Sequence, residues 1–478
     1  MSRLGSVPIY IEHLIWENRK TPSECRALAY APGDGTLGDN SDDSSCVHQA
    51  PSPDEKGLMG RDLGPGSRTV SGTGFHTLDD FDVRGRRIVL RIDINSPVDE
   101  KTLRLQDGSK IKSSIPTIRE LLDRGAKVAI IAHQGRPGDY DYIPLNEHAA
   151  YLSQYLGRRV RFIDDLMGKH SANAIAALGE GDAILLRNVR DFPGEQAKKT
   201  PEEHAESSLV KALAPQFDLF VNDAFGSSHR SHASLVGFAP VLPSAAGRLM
   251  EREVKTLTQV FQNPKRPSTF IFGGTKFADA LPVIEKLSER ESVDNIIVAG
   301  LAGYAFLYTL GKKIGSKTEA LVKKDVTDEV VAGAKRLLES RGRKLHLPED
   351  AAIDVDGHRV EYVLSELPAD AAIKDIGAST IDRFSKIIMG SKTVFLSGPP
   401  GVFEKEEFSK GTEMLFSAVI DSEAFSVIGG GHSSAAANKF GFIDRISYVS
   451  TGGGALERLM LGKHMPVVEA LKASAKKF

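Results

Sequence analysis

Short apolar runs rich in β-branched residues recur along this chain, and helical stretches lie between them. Unbroken runs of this kind are typical of strands that are buried on both faces of a sheet. In the first half of the chain they occupy residues 88–90, 128–131, 183–186 and 219–221. One intervening stretch, residues 115–124, predicts a helix with Pro116 in its first turn. The alternation of strands and helices predicts a parallel α/β sheet.

A second series of apolar runs begins near Ser268 and occupies residues 269–272, 296–298, 393–396 and 425–428. Between the two series, residues 244–262 show a helical apolar pattern that ends before Pro264 and Pro267. We interpret this stretch as an interdomain helix. The predicted fold therefore has two lobes, each a Rossmann-like parallel β-sheet with helices on both faces, with a cleft between them.

Composition shifts divide the chain further. Residues 32–73 are rich in Gly, Ser, Asp and Pro, a composition that cannot bury enough apolar surface to fold, so the extension is predicted to be disordered. The predicted domains are the extension over 1–74, an acid-substrate-binding lobe over 75–243, the interdomain helix over 244–263, a nucleotide-binding lobe over 264–455 and a segment over 456–478 that is a candidate to pack back on the first lobe.

Charge and cysteine content exclude several classes of protein. The chain of 478 residues carries 61 Lys and Arg against 63 Asp and Glu, a balance unlike the strongly basic domains that coat nucleic acid. Its two cysteines, Cys25 and Cys46, exclude a disulfide framework or a Cys-based metal site after residue 75. A reducing, cytoplasmic location is expected. Since no apolar run approaches the length of a membrane helix, a membrane partner is not expected.

Cations and polar residues follow the strands of the first series. In open parallel sheets, ligands bind beyond the carboxyl ends of the strands. Arginine forks bind phosphate and carboxylate with two hydrogen bonds, so several of them on one edge indicate a small anionic ligand. Asp93 and Asn95 could instead shape a turn, and Asp223 could cap a helix. The strand-end residues are Arg91, Asp93, Asn95, His133, Arg136, Arg187, Arg190, Asn222, Asp223, His229, Arg230 and His232.

Glycine-rich segments follow the strands of the second series instead. Glycines let backbone N–H groups approach phosphate oxygens, and a following helix N-terminus favours negative charge. None of these segments has the spacing of a P-loop or of a GxGxxG dinucleotide motif, which disfavours a nicotinamide-dependent dehydrogenase. Four of them in one lobe predict nucleotide phosphate binding; they occupy residues 273–276, 398–401, 429–433 and 451–454.

Taken in order, these motifs resemble the phosphoglycerate kinase family over residues 75–478. The pairs His133-Gln134 and Gly431-His432 resemble its archaeal branch. The matching segments are residues 91–97, 133–137, 221–226 with 229–230, 243–247, 273–276, 375–377, 398–404, 429–432 and 450–454.

The resemblance implies a role for each lobe. The first lobe would bind 3-phosphoglycerate through Asp93, Asn95, His133, Arg136, Arg190 and Arg230. The second would bind ATP or ADP through Gly273, Gly274, Lys276, Glu404, Gly430, Gly431, His432 and Ser433. Lys110, Lys276 and Arg230 would catalyse transfer. Mg²⁺ is expected to arrive with the nucleotide, without an assigned protein ligand. The expected partners are these small molecules, and a monomer is expected, with a dimer as the alternative.

Two positions depart from the family pattern. Lys110 stands where the family has an arginine at the opening of a helix, and Ser397 stands where it has an asparagine. Lysine keeps the charge but loses the planar fork. The alternatives to a working phosphoglycerate kinase are a carboxylate kinase that acts on another small acid and a non-catalytic nucleotide-binding homologue.

Overall fold

The apolar runs of the first half form a six-stranded sheet in which every neighbouring pair is parallel. Its strands are β1 (Arg87–Arg91), β2 (Lys127–Ile131), β3 (Val160–Ile163), β4 (Ala183–Leu186), β5 (Leu219–Asn222) and β6 (Ser244–Ala246). Their order in space is β3-β4-β2-β1-β5-β6. Strands β1, β2, β4 and β5 are therefore neighbours in the middle of the sheet, and their carboxyl ends share one edge.

The structure is a computed structural model that describes residues 73–478, and these residues belong to one compact unit. The prediction for the extension, apart from its last two residues, lies outside the described residues. We call β1–β6 and their helices the first lobe. The helices are α1 (Ser109–Asp123), α2 (Asn146–Leu156), α3 (Lys169–Ala176), α4 (Pro201–Ala205), α5 (Ser208–Leu213) and α6 (Ala233–Val236).

Helix α1 begins two turns earlier than predicted, and the placement of Pro116 in a first turn is wrong. The Asp107 carboxylate accepts a hydrogen bond from the Ser109 backbone N–H at 2.8 Å, which starts the helix there. Pro116 lies inside the helix. The stripe that includes Ile111, Ile115 and Ile118 is buried on both sides of the proline, so packing offsets the missing N–H. The early start places Lys110 in the first turn.

The predicted interdomain helix also begins later than expected. Residues 244–246 are strand β6, paired with Phe220–Asn222, and helix α7 is Arg248–Gln262. Small residues such as Ala245 and Ala246 carry little information on periodicity, and the backbone of Gly247 is extended before the helix starts. The predicted apolar stripe is correct in the helix itself, where Met250, Val254, Leu257 and Val260 are buried.

The second lobe contains another six-stranded parallel sheet, in the order β15-β14-β13-β7-β8-β9. Its strands are β7 (Ser268–Phe272), β8 (Asn295–Val298), β9 (Leu345–His346), β13 (Thr393–Ser397), β14 (Phe425–Gly429) and β15 (Tyr448–Val449). The helices of this lobe are α8 (Phe277–Ser288), α9 (Gly300–Thr309), α10 (Ser316–Val322), α11 (Asp328–Arg341), α12 (Ala378–Met389), α13 (Lys410–Asp421), α14 (Gly431–Lys439) and α15 (Gly454–Met460). The predicted class, two parallel α/β sheets, is confirmed.

A three-stranded antiparallel sheet in this lobe was not predicted. It comprises β10 (Asp350–Val355), β11 (His358–Val363) and β12 (Ile373–Ile376), in the order β11-β10-β12. Residues 358–363 mix polar and apolar side chains, and this strand is partly exposed along its whole length. Short 3-10 helices complete the described secondary structure, at Leu78–Asp80, Val189–Asp191, Ala214–Gln216, Phe225–Ser227, Gly342–Lys344, Leu364–Glu366, Glu406–Phe408 and Ile443–Arg445.

The last helix, α16 (Pro466–Lys477), returns to the first lobe. The Ser474 hydroxyl donates to the Leu242 carbonyl at 3.2 Å, and the Lys477 ammonium donates to the Pro240 carbonyl at 2.7 Å. The predicted domain boundaries stay a prediction. Among the described helices, none combines the length and apolar character that crossing a membrane requires.

Arg248, the first residue of α7, fixes this helix to the first lobe. Its guanidinium donates to both carboxylate oxygens of Glu120 at 2.7 Å, to Asp79, and to Glu251 at 2.9 Å. These bonds raise the pKa of Arg248 far above its ordinary value. A planar fork can serve several carboxylates at once, which an ammonium cannot.

We therefore predict that Arg248→Lys lowers the free energy of unfolding by about 1–2 kcal/mol, because charge-assisted bonds at a partly exposed site are lost. Urea unfolding curves should show the loss, while Arg252→Lys, an exposed change on the same helix, should leave the midpoint unchanged. Equal midpoints for the two variants would contradict the prediction.

Candidate functional site

The carboxyl edge of the first sheet brings the predicted acid-binding residues together. Asp93 follows β1 and is buried, and its carboxylate accepts a hydrogen bond from the Ser227 hydroxyl at 2.9 Å. The Lys110 ammonium lies 3.7 Å from the other carboxylate oxygen. Burial alone would raise the pKa of Asp93, but the nearby charges of Lys110 and Arg91 hold it well below its usual value. Asp93 is therefore a permanent anion that orients cations.

Arg91 and His133 form the buried floor of this cluster. The Arg91 side chain is 1% exposed, and its Nη2 lies 3.0 Å from Nδ1 of His133. Burial first, and then the charge of Arg91, hold the pKa of His133 well below its ordinary value. The imidazole is therefore neutral at physiological pH.

Arg190 is a buried cation that is only partly satisfied. Its Nη1 donates to the Gly135 carbonyl, but its Nε has no hydrogen-bond partner among the described residues. Burial and the neighbouring charges of Arg230, Arg91 and Arg136 lower its pKa. A buried guanidinium with an unused donor and cations around it is a site for an anion.

Asn95, Arg136 and Arg230 complete the predicted set. The Asn95 side-chain oxygen accepts from the Gly135 N–H at 2.8 Å, so this residue fixes the loop that carries Arg136. Arg136 is exposed. Arg230 is half-buried and donates from Nε to Nε2 of His229 at 3.2 Å. The structure thus gives Asn95 a loop-shaping contact and leaves the head group of Arg136 open to solvent.

Three residues of this cluster were not assigned a site role from the sequence. The sequence identifies Arg91 only as a strand-end residue, yet in the structure it is buried and contacts His133. Ser227, which binds Asp93, and Glu195, a buried acid near Arg91, carry no motif that would separate them from ordinary loop residues. Their roles depend on which segments the sheet order makes neighbours.

In the second lobe, glycine backbones replace charged side chains. The Gly273 N–H donates to the Ser397 carbonyl and the Gly274 N–H donates to the Pro399 carbonyl, both at 2.9 Å. A Cβ at Gly273 would collide with the Gly398 carbonyl, and Gly398 has a φ of 89°. The two loops can approach this closely only as glycine.

Two adjoining cavities lie beside these loops and share Gly274, Thr275, Gly398 and His432. The first, of about 340 Å³, is also lined by Tyr304, Leu321 and Glu404. The second, of about 300 Å³, is lined by residues that include Lys276, Gly430, Gly431 and Ser433. A mostly apolar space beside a glycine-lined one that includes Lys276 is suited to a base and its phosphates. The structure therefore brings the predicted nucleotide-binding residues together around these spaces.

The N-terminus of α14 faces the second cavity. Its first residues are Gly431, His432 and Ser433, and it has no side-chain cap, so its N–H groups are free to bind an anion. The Ser433 hydroxyl accepts from the Gly398 N–H at 2.8 Å and joins this helix to the neighbouring loop. Lys276 is 81% exposed and lies 3.9 Å from Asp279, so its ammonium can reorient towards a ligand.

The two lobes meet beside Asp93 and Lys110, where Thr451 of the second lobe lines the same small cleft. The Thr451 N–H and hydroxyl donate to Glu253 of α7 at 2.6 and 2.7 Å, and the Ser450 hydroxyl donates to it at 2.9 Å. The buried Glu253 carboxylate thus joins the interdomain helix to a glycine-rich loop of the second lobe.

Asp223 follows β5, yet it belongs to the joint and not to the cation cluster. One carboxylate oxygen accepts from the Met250 N–H at 3.0 Å, so the residue caps α7. The other oxygen has no hydrogen-bond partner among the described residues. Burial raises the pKa of Asp223 to about 6.

Comparison with known proteins gives one consistent result. The phosphoglycerate kinase family model matches residues 78–463. A phosphoglycerate kinase of Methanobacterium bryantii is 43% identical over 398 residues, which cover 83% of this chain and 97% of that protein. Another, from Methanothermobacter thermautotrophicus, is 42% identical over 84% of this chain and 97% of its own length.

Solved structures agree with these relatives. The crystal structure of phosphoglycerate kinase from Pyrococcus horikoshii has a TM-score of 0.78 and 37% identity, and the match covers 84% of this chain and all of that one. The structure of phosphoglycerate kinase from Coxiella burnetii has a TM-score of 0.73 and 31% identity, with the same coverage. The resemblance drawn from the sequence motifs is confirmed.

The raised pKa of Asp223 predicts a specific pH dependence. Between its ordinary value of 3.8 and about 6, the folded state binds this proton and the unfolded state does not. Stability contributed by Asp223 is therefore complete at low pH and is lost as pH rises through about 6. In Asp223→Asn that loss, about 3 kcal/mol, should vanish.

The measurement is urea unfolding of both proteins at several pH values between 4 and 8. The difference in unfolding free energy between Asp223→Asn and the unmodified chain should shift in favour of the variant as pH rises. A difference that stays constant across this range would show that the Asp223 carboxyl titrates normally.

Proposed function

We infer that this chain, which belongs to the phosphoglycerate kinase family, catalyses reversible phosphoryl transfer between ATP and the carboxylate of 3-phospho-D-glycerate. It is a phosphotransferase with a carboxyl group as acceptor. The products are 1,3-bisphosphoglycerate and ADP, a step of glycolysis and gluconeogenesis. The relatives give no support to a kinase of another acid or to a non-catalytic homologue.

One observation in particular supports 3-phospho-D-glycerate as the acid substrate. The first lobe offers a buried, partly unsatisfied Arg190 beside Arg91 and Arg230, with neutral His133 among them. Asp93 and Glu195 offset only part of this positive charge. A ligand with a phosphate and a carboxylate supplies several negative charges over a short length, which suits such a cluster. We propose that the residues that bind this acid are Asp93, Asn95, His133, Arg136, Arg190 and Arg230.

We propose that the nucleotide binds to the second lobe with its base in the cavity beside Tyr304. Glu404 at the border of that cavity is placed to accept hydrogen bonds from a ribose. The phosphates would lie against Gly273, Gly274, Lys276 and the start of α14, where backbone N–H groups and the helix dipole favour negative charge. The N-terminal residues of that helix are Gly431, His432 and Ser433, after Gly430.

The protein's own groups suit a Mg²⁺ that is carried by the nucleotide. The described residues contain no cluster of three or more His, Cys, Asp or Glu side chains that could hold a metal. Asp279 and Glu457 are the carboxylates among the residues that line the phosphate cavity. Mg²⁺ commonly takes phosphates, waters and one or two carboxylates as ligands, and it would offset the charge of the phosphates there.

Transfer itself needs positioning and charge neutralisation more than covalent chemistry. We propose direct in-line attack of the carboxylate oxygen on the γ-phosphorus, without an enzyme-bound phosphoryl intermediate. Lys110, Lys276 and Arg230 would stabilise the charge on the transferring group. Since the acid cluster and the phosphate cavity lie on different lobes, the reaction requires the lobes to close, which also excludes water. We expect the protein to act in the cytoplasm as a monomer, with a dimer as the alternative.

The proposal is tested by a coupled assay with 3-phosphoglycerate, ATP and Mg²⁺, beside other small carboxylates such as glycerate, acetate and aspartate. Activity should be greatest with 3-phosphoglycerate and should fall by on the order of 10³-fold or more with acids that lack the phosphate, because the cations of the first lobe then stay unpaired. Faster turnover of another carboxylate would overturn the assignment of the substrate.

Lys110 provides a prediction about the transition state. If it stands in for the family's arginine, Lys110→Arg should raise kcat with little change in KM, because the added fork acts mainly on the transferring group. Lys110→Ala should lower kcat by a factor on the order of 10²–10³. Steady-state kinetics with 3-phosphoglycerate measures both effects.

Lys112→Ala is the matched control, since Lys112 is an exposed lysine in the same helix. It should leave kcat and KM unchanged. An unaltered kcat in Lys110→Ala would show that Lys110 takes no part in the transfer.

A further inference from the structure

Glu195 is a buried acid that the proposed reaction does not use. Its side chain is 1% exposed, and it lies in the loop after the 3-10 helix at Val189–Asp191. One carboxylate oxygen accepts from the Ser234 N–H at 2.9 Å, and the other accepts from the Ser234 hydroxyl at 2.6 Å. Burying a carboxylate costs free energy, so the position of Glu195 beneath the cation cluster needs a physical reason.

The Ser234 hydroxyl transmits the effect of Glu195 to Arg91. Burial raises the pKa of Glu195 to about 7, and the charge of Arg91 opposes this rise. A hydroxyl has one proton, and because Nε of Arg91 can only donate to the Ser234 oxygen, that proton is directed at Oε1 of Glu195, 2.6 Å away. The lone pairs of the same oxygen are then available to Nε of Arg91, which donates to it at 2.9 Å. Glu195 thereby fixes the direction of the hydroxyl, and the hydroxyl fixes the plane of the guanidinium.

Arg91 in turn decides where His133 carries its proton. All the nitrogens of a guanidinium donate, so Nδ1 of His133, 3.0 Å from Nη2 of Arg91, must accept. A neutral imidazole that accepts at Nδ1 carries its proton at Nε2. His133 is then a neutral donor at Nε2, the nitrogen that Arg91 does not occupy.

We propose that Glu195 is a positioning residue for the acid substrate: through Ser234 and Arg91 it holds His133 as the Nε2–H tautomer, ready to donate to the bound anion. This inference rests on the proposed function for its kinetic consequence. It assigns to a buried loop acid a role that its position in the sequence does not suggest.

A purely structural role for Glu195 would lead to a different expectation for the variants. The Glu195 carbonyl already accepts from the Ala233 N–H at 2.9 Å, and the carboxylate holds the N-terminus of α6 through Ser234 N–H. If capping were its whole contribution, removing its charge would lower stability without changing the histidine. The link from the Ser234 hydroxyl to Arg91 is what distinguishes the two roles.

Glu195→Gln keeps the shape but cannot accept from both Ser234 donors, because one of its two end groups is an amide NH₂. The KM for 3-phosphoglycerate should rise on the order of tenfold, as for a lost bond to a charged group, with the KM for ATP unchanged.

Ser234→Ala keeps the acid and removes the hydroxyl, and should raise the same KM. Glu195→Asp should recover part of the loss. Glu203→Gln is the control, since Glu203 accepts from Thr200 N–H at the start of α4 and is exposed.

The decisive measurement is ¹⁵N NMR of the full chain labelled at histidine, with the signals of His133 identified through His133→Gln. In the unmodified protein the proton should lie on Nε2, and in Glu195→Gln and Ser234→Ala the signals should move towards a mixture of tautomers. A proton on Nδ1 in the unmodified protein, or unchanged His133 signals in folded Ser234→Ala, would overturn the proposal, and so would an unchanged KM in both variants.

The two readouts separate this inference from the function on which it rests. If the unmodified chain fails to phosphorylate 3-phosphoglycerate, the proposed function fails, while the NMR comparison still decides whether Glu195 controls His133. If Glu195→Gln does not fold, Ser234→Ala and the spectrum of the unmodified protein decide the question.

Discussion

Buried positive charge at the carboxyl edge of the first sheet is the constraint on which the site depends. Arg91 is fully buried and is satisfied by the Ile92 carbonyl, the Ser234 hydroxyl and His133. Arg190 beside it keeps an unused donor. Desolvation lowers the pKa of both guanidiniums, so each is held as a cation at a cost in free energy. An anionic ligand that enters the cluster lowers that cost, which favours its binding.

In the second lobe, the groups that are available to a negative charge are mostly dipoles and not charged side chains. Its loops carry glycine, and the groups that face the phosphate cavity are largely backbone N–H donors and the uncapped start of α14. Such donors keep their positions without a ligand and carry little net charge. The first lobe would thus attract a ligand with full charges, and the second lobe would do so with dipoles.

Sequence reasoning found the features that repeat or that carry charge. The apolar runs predicted the central strands, and the arginines and glycines after them predicted both halves of the site. The predictions are wrong where local signals are weak: the three small residues of β6 form a strand and not part of the helix, and Pro116 lies inside α1 and not at its start. Glu195 and Ser227 could not be found, because their importance comes from β4, β2, β1 and β5 lying side by side in the sheet, while Arg91, Glu195 and Ser234 are far apart in the chain.

Helix α1 connects the cation cluster of the first lobe to the interdomain helix α7. Lys110 lies in its first turn, and Thr117, seven residues later and so on the same face, accepts from the Arg248 N–H at 2.8 Å. The Glu120 carboxylate, one turn further, accepts two hydrogen bonds from the Arg248 guanidinium. The helix that presents Lys110 is thus bound directly to the helix that joins the lobes, whose Glu253 holds Thr451 of the second lobe beside Asp93. A movement of the second lobe about α7 must act on α1 through these bonds. The position of Lys110 is therefore set by the same joint that connects the two lobes.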